Sequence, residues 1–148
     1  MIRRGRRGRE IEPGDWRPRV GRARVLVENP NRAERWAYAD LLRKAGYDVA
    51  TCGGPEHGDG ERTRCPLVER AVCPLVDGAD VVVSTSTLED GTEILAALGV
   101  RGSPRVLFET PQPTFDQYGE IGGSARLIAC PVTDQSLLEA VAEEAAPG

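Results

Sequence analysis

The sequence predicts one α/β domain on a five-stranded, doubly wound parallel sheet of order 2-1-3-4-5, with a short or irregular fourth helix. Three observations lead there. Short apolar runs alternate with stretches of helical periodicity, the arrangement of repeated βαβ units. Runs such as Val25-Leu26-Val27 and Val81-Val82-Val83 are continuously apolar, as strands covered on both faces are. A chain of 148 residues with 40% hydrophobic and 28% charged residues is sized for a single domain.

Residues 1–22 combine Arg, Gly and Pro with almost no apolar periodicity, so ordering them would cost backbone entropy that no buried surface offsets. A disordered arm is expected there, with the folded domain over 23–148. Val25-Leu26-Val27 forms the first strand. Asn31 caps a helix in which Trp36, Ala37, Leu41 and Leu42 recur at helical spacing, and Gly46 ends it. Residues 47–51 form the second strand, and 52–64 a Gly-rich, charged loop. Pro66 opens a short second helix carrying Leu67, Val68 and Ala71, which stops before Pro74. After the Asp77-Gly78 turn comes the third strand, 80–83, β-branched through its three valines. A third helix over 89–98 aligns Ile94, Leu95 and Leu98 and ends at Gly99. Residues 105–108 form the fourth strand. The Pro- and Gly-rich stretch 109–124 leaves little room for a full crossover helix. Residues 125–129 form the fifth strand, and Leu137, Leu138 and Val141 mark a last helix starting near Thr133 or Asp134.

The formal charge of −4 is unevenly spread: residues 1–24 hold nine Arg against Glu10, Glu12 and Asp15, for +6, leaving −10 on the remainder. Such an arm suits contact with nucleic acid or an acidic partner, or is a solvated tail or the product of an upstream start codon. No apolar run approaches the roughly 18–20 residues that cross a bilayer, and MIRRGRRGRE has no apolar segment behind it, so a cytoplasmic protein without membrane contact is expected. The single Lys among 18 Arg fits a GC-rich bacterial genome.

Four cysteines without an export signal read as buried thiols, a metal site or a redox site rather than a secreted disulfide framework. Cys52 and Cys130 close the second and fifth strands, Cys65 opens the second helix and Cys73 lies at its far end. Cys52, Cys65 and Cys73 are the metal or disulfide candidates, although their spacing lacks the C-x2-4-C knuckle of structural zinc. His57 could join Cys52 and Cys65 or be a solvated loop residue. Ser84-Thr85-Ser86-Thr87 offers hydroxyls to an anion or a cap to the next helix. Residues 110–118 place Phe115 and Tyr118 on a Pro-rich loop suited to binding.

Several segments together resemble one family. They are Val25-Leu26-Val27 through Leu41-Leu42-Arg43-Lys44-Ala45-Gly46-Tyr47-Asp48-Val49, Ala79-Asp80-Val81-Val82-Val83 with Asp90-Gly91-Thr92-Glu93-Ile94-Leu95, and Cys130-Pro131-Val132-Thr133 leading into Leu137-Leu138-Glu139-Ala140-Val141. In order and spacing they resemble the receiver domains of two-component response regulators, which have a flavodoxin-like fold. The resemblance implies an Asp nucleophile ending the third strand, two acids after the first strand for Mg²⁺, a hydroxyl after the fourth, and a Lys before the proline after the fifth. Here those places hold Ser84-Thr85, Glu28-Asn29, Thr110 (with Glu109 an equal claimant) and Cys130. It therefore implies a degenerate pseudo-receiver: a non-enzymatic signalling or interaction domain, without aspartyl phosphate or cofactor, meeting a protein partner. The corresponding edge is Glu28, Asn29, Ser84, Thr85, Thr110 and Cys130. The reduced fourth helix lies where many receivers dimerise, and the peptide before Pro131 is expected in cis. Two other classes stay open: a small cysteine-based redox or metal-binding module, and a nucleotide- or coenzyme-binding domain of the same architecture.

Overall fold

The computed structural model describes residues 16–18, 21–53, 73–84, 105–111, 125–130 and 132–145. Five strands, β1 (Arg24–Glu28), β2 (Asp48–Cys52), β3 (Val81–Ser84), β4 (Arg105–Pro111) and β5 (Ala125–Cys130), form one sheet of order β2-β1-β3-β4-β5. Every pairing is parallel. The described helices are α1 (Arg32–Lys44), α2 (Pro74–Asp77) and α3 (Asp134–Ala145).

The central strands are apolar throughout because both their faces are covered. Val25, Val27, Val81, Val83 and Leu107 point to one face and meet Leu42 of α1 and Leu137, Ala140 and Val141 of α3. Leu26, Val82 and Val106 point to the other and meet Cys73, Leu75, Val76 and Ala79. Each buried Val or Leu side chain contributes about 1.5–3 kcal/mol, against about 0–1 for an exposed ion pair, so these two apolar layers hold the fold.

Asn31 starts α1, its side chain accepting the Glu34 amide at 3.0 Å. Gly46, at φ 102°, ends it. Thr133 and Ser136 start α3 reciprocally: the Ser136 amide donates to Thr133 Oγ1 and the Thr133 amide to Ser136 Oγ, both at 3.0 Å.

Some expectations need correcting. Pro74 opens a short helix that the sequence reading does not anticipate, occupying the first turn of α2, where its missing N–H costs nothing. β4 runs past residue 108 to Pro111 and β5 to Cys130, because parallel pairing continues to the Pro111–Cys130 rung. The arm expected over 1–22 is not free along its whole length: Trp16 lies against the Leu26 layer, and its indole N–H donates to the Leu75 carbonyl at 3.0 Å. A large apolar ring with one donor recovers, through contacts 59 residues away, what local periodicity does not show. The helices expected from Pro66 and over 89–98, most of the 109–124 stretch, and His57 and Pro131 lie outside the described residues.

Candidate functional site

β1, β2 and β3 end on one rung: Glu28 stands in register with Cys52 on one side and Ser84 on the other, and Ser84 with Phe108. This carboxyl edge is where open α/β sheets bind ligands. Leu26 and Val82, one alternation earlier, belong to the α2 face, so Glu28 and Ser84 share that face. Ser84 Oγ donates to Glu28 Oε1 at 2.6 Å, the length of a charge-assisted O–H···O⁻ bond. Ser84 is 0% exposed and Glu28 5%. A carboxylate so buried requires donors, and the hydroxyl of the neighbouring strand supplies one.

Asn29, also buried, is committed to the turn between β1 and α1. Its amide donates to the Cys52 carbonyl at 3.0 Å. Oδ1 accepts the Asn31 amide at 2.8 Å, and Nδ2 donates to Glu34 Oε1 at 3.1 Å. Its carbonyl accepts Arg35 Nη1 at 2.7 Å. Asn29 thus ties β1, β2 and the first turns of α1 together, with its amide oxygen turned to the backbone as in an Asx turn.

On the opposite face, Tyr38 Oη donates to Glu109 Oε1 at 2.8 Å, joining α1 to β4. Glu109 follows Leu107 by one alternation and so shares the face of α1 and α3. Tyr38 is a site residue that sequence reasoning missed. Its signal is its place at i, i+3 and i+4 with Leu41 and Leu42, which turns the ring to the sheet and carries the hydroxyl past the apolar stripe.

The remaining expected edge residues are placed by strand register alone. Phe108 pairs with Leu127, so Thr110 and Cys130 stand two and three residues beyond that rung, roughly 7 and 10 Å along their strands. Thr85 and Cys65 lie outside the described residues. Cys52 is half-buried on the Glu28 rung, and Cys73 is a buried thiol at the N-cap of α2. Among the described residues, no three His, Cys, Asp or Glu side chains come together to hold a metal.

The opposite, amino edge carries a structural charge cluster. Arg105 Nε meets Glu144 Oε1 at 2.8 Å, and Arg126 Nη1 meets Glu143 at 2.7 Å and Glu144 at 3.0 Å. Burial pushes the Glu144 carboxyl up, but hydrogen bonds and charge from Arg105 and Arg126 outweigh it and hold its pKa below the ordinary glutamate value. Donating to the Glu143 and Glu144 carboxylates raises the Arg126 pKa in turn.

No sequence family and no curated protein matches the chain. Solved structures do. The chemotaxis response regulator CheY4 of Vibrio cholerae is 19% identical with a TM-score of 0.59, over 82% of this chain and 98% of that one. A CheY-like receiver domain protein from Methanospirillum hungatei is 21% identical with a TM-score of 0.59, over 84% and 94%. The receiver domain of the hybrid histidine kinase CckA is 18% identical with a TM-score of 0.52, over 84% and 100%. The fold is accordingly the CheY-like, flavodoxin-like fold of response-regulator receiver domains.

Proposed function

We propose that this domain is a receiver-like signalling module that works without aspartyl phosphorylation, as a surface for a protein partner in the cytoplasm. The observation that carries the reading is the Ser84–Glu28 hydrogen bond, 2.6 Å long and buried. The ends of β1 and β3, where a receiver resembling this chain would hold metal and phosphoacceptor, here bond to each other. The donor set does not suit a hard divalent cation: Glu28 accepts a hydroxyl, and the amide oxygen of Asn29 is turned to the Asn31 backbone. Neither Ser84 nor Thr85 forms the acyl phosphate of a phosphorelay. In this reading neither Mg²⁺ nor phosphate takes part at this edge. The residues at this edge fix the β1–α1 and β3 termini, and recognition falls to the surface they shape. The Arg-rich arm adds a cationic element that nucleic acid or an acidic protein surface would meet.

The test is incubation of the full chain with acetyl phosphate and Mg²⁺, followed by intact mass and peptide mapping. The mass should stay that of the untreated protein. A stable phosphoryl adduct on an Asp or Glu would overturn the reading.

A further inference from the structure

α1 and α3 lie on the same face of the sheet, α1 over β2 and β1, α3 over β4 and β3. Each follows a parallel strand, so both start at the carboxyl edge and run back to the amino edge. Their inward stripes are buried: Ala39 and Leu42 on α1, and Leu137, Ala140 and Val141 on α3. Their charges are opposite. α1 carries four cations and two acids, for +2, whereas α3 carries four acids and no cation, for −4.

The outward sides are open. Trp36 on α1 is 45% exposed, the one exposed large apolar side chain among the described residues. Ala33 and Ala37 are exposed on the same side and leave the ring standing above its surroundings. Arg32, one turn before it, and Lys44, two turns after it, are exposed cations. On α3, Glu139 and Glu143 are exposed one turn apart, with Ala142 beside them. Glu143 keeps 64% side-chain exposure even while it meets Arg126. An aromatic anchor among cations on one helix, and acids around a small residue on its neighbour, are the two halves of a complementary contact.

We propose that this two-helix face docks a second copy of the chain, each α1 packing on the partner's α3. A two-fold axis can join two such faces in two ways. Running across the helices, it sets α1 on α1 and α3 on α3, like charge on like. Running along them, between α1 and α3, it sets cationic α1 on acidic α3 twice. Lys44 then shares the amino-edge end with the partner's Glu143, and Trp36 stands near mid-helix at the height of the partner's Glu139. Helices of 13 and 12 residues are about 20 and 18 Å long, a face at the small end of specific interfaces. The dimer is therefore weak, with a dissociation constant on the order of 10–100 µM. The inference does not depend on the reading of Glu28 and Ser84, which lie outside this face.

Sedimentation velocity of the full chain from about 5 to about 500 µM tests this. The mass should rise with concentration from one chain toward two. Trp36→Ala should weaken association about 10-fold, as should Arg32→Glu with Lys44→Glu, and Glu139→Lys with Glu143→Lys. Far-UV circular dichroism should not change in any of them. The two charge-reversed chains, mixed, should associate as tightly as the natural chain, because every α1 then meets an α3 of opposite charge. A chain that stays monomeric throughout overturns the proposal. So does a dimer that Trp36→Ala leaves unchanged, which would lie on another surface, and so does a mixture of folded reversed chains that fails to associate, which would mean that α1 does not meet α3.

Discussion

At the scale of single residues, Ser84 is where chemistry and stability meet. Its hydroxyl has no water to turn to, and it meets a carboxylate that is itself shut away. Ser84→Ala removes a donor without shrinking the apolar layer, so it should destabilise the fold by about 1–3 kcal/mol, the cost of leaving a buried acceptor short of one partner. Denaturant unfolding measures this, and a loss under about 0.5 kcal/mol would mean that the bond contributes little. The two tryptophans offer a contrast. Trp36 on α1 is 45% exposed, and Trp36→Ala should change stability by no more than about 0.5 kcal/mol. Trp16→Ala should cost about 1–2 kcal/mol, because its ring and donor both have partners in the domain. Equal losses in the two variants would contradict the docking of Trp16.

Among the described elements, α3 is the one tied to the sheet by ion pairs. Its last turn has no basic residue, yet Glu144 is held there by Arg105 of β4 and Arg126 of β5. The folded state favours the ionised carboxylate, so this contribution is complete above the unfolded glutamate pKa and fades as pH falls through the lower folded value. Glu144→Gln should therefore be less stable than the natural chain at neutral pH, by about 1 kcal/mol. The two stabilities should converge in acid, below the ordinary carboxylate range. Thermal midpoints across a pH series check the sign, and a gap that widens on acidification would refute it. α1 is held differently, through Asn31 and Asn29 at its start and Tyr38 at Glu109, so polar contacts to three strands fix its height above the edge.

For the whole molecule, the strand order was legible because β1 and β3 are continuous valine-rich runs, which only a doubly covered parallel sheet explains. Strand ends were less so. β4 and β5 outrun their apolar residues because main-chain pairing, and not side-chain type, carries them to Pro111 and Cys130. Thr110 and Cys130 lie in these extensions, two and three residues past the rung of Glu28 and Ser84. Glu28 and Ser84 were visible as the polar residues ending apolar runs, but their bond depends on cross-strand register, which no local pattern encodes. Asn29 stood out for its position, and its work proved to be the turn into α1. Trp16 was hidden in an Arg-, Gly- and Pro-rich stretch because its order comes from Leu75 and Gly78, far along the chain.

The carboxyl edge of this receiver fold is taken to be closed on itself, and a Mg²⁺ titration followed by backbone amide NMR asks that question at the atoms concerned. The amides of Glu28, Asn29 and Ser84 should keep their positions into the millimolar range. Saturable shifts centred on those three amides would show a working cation site and contradict the account.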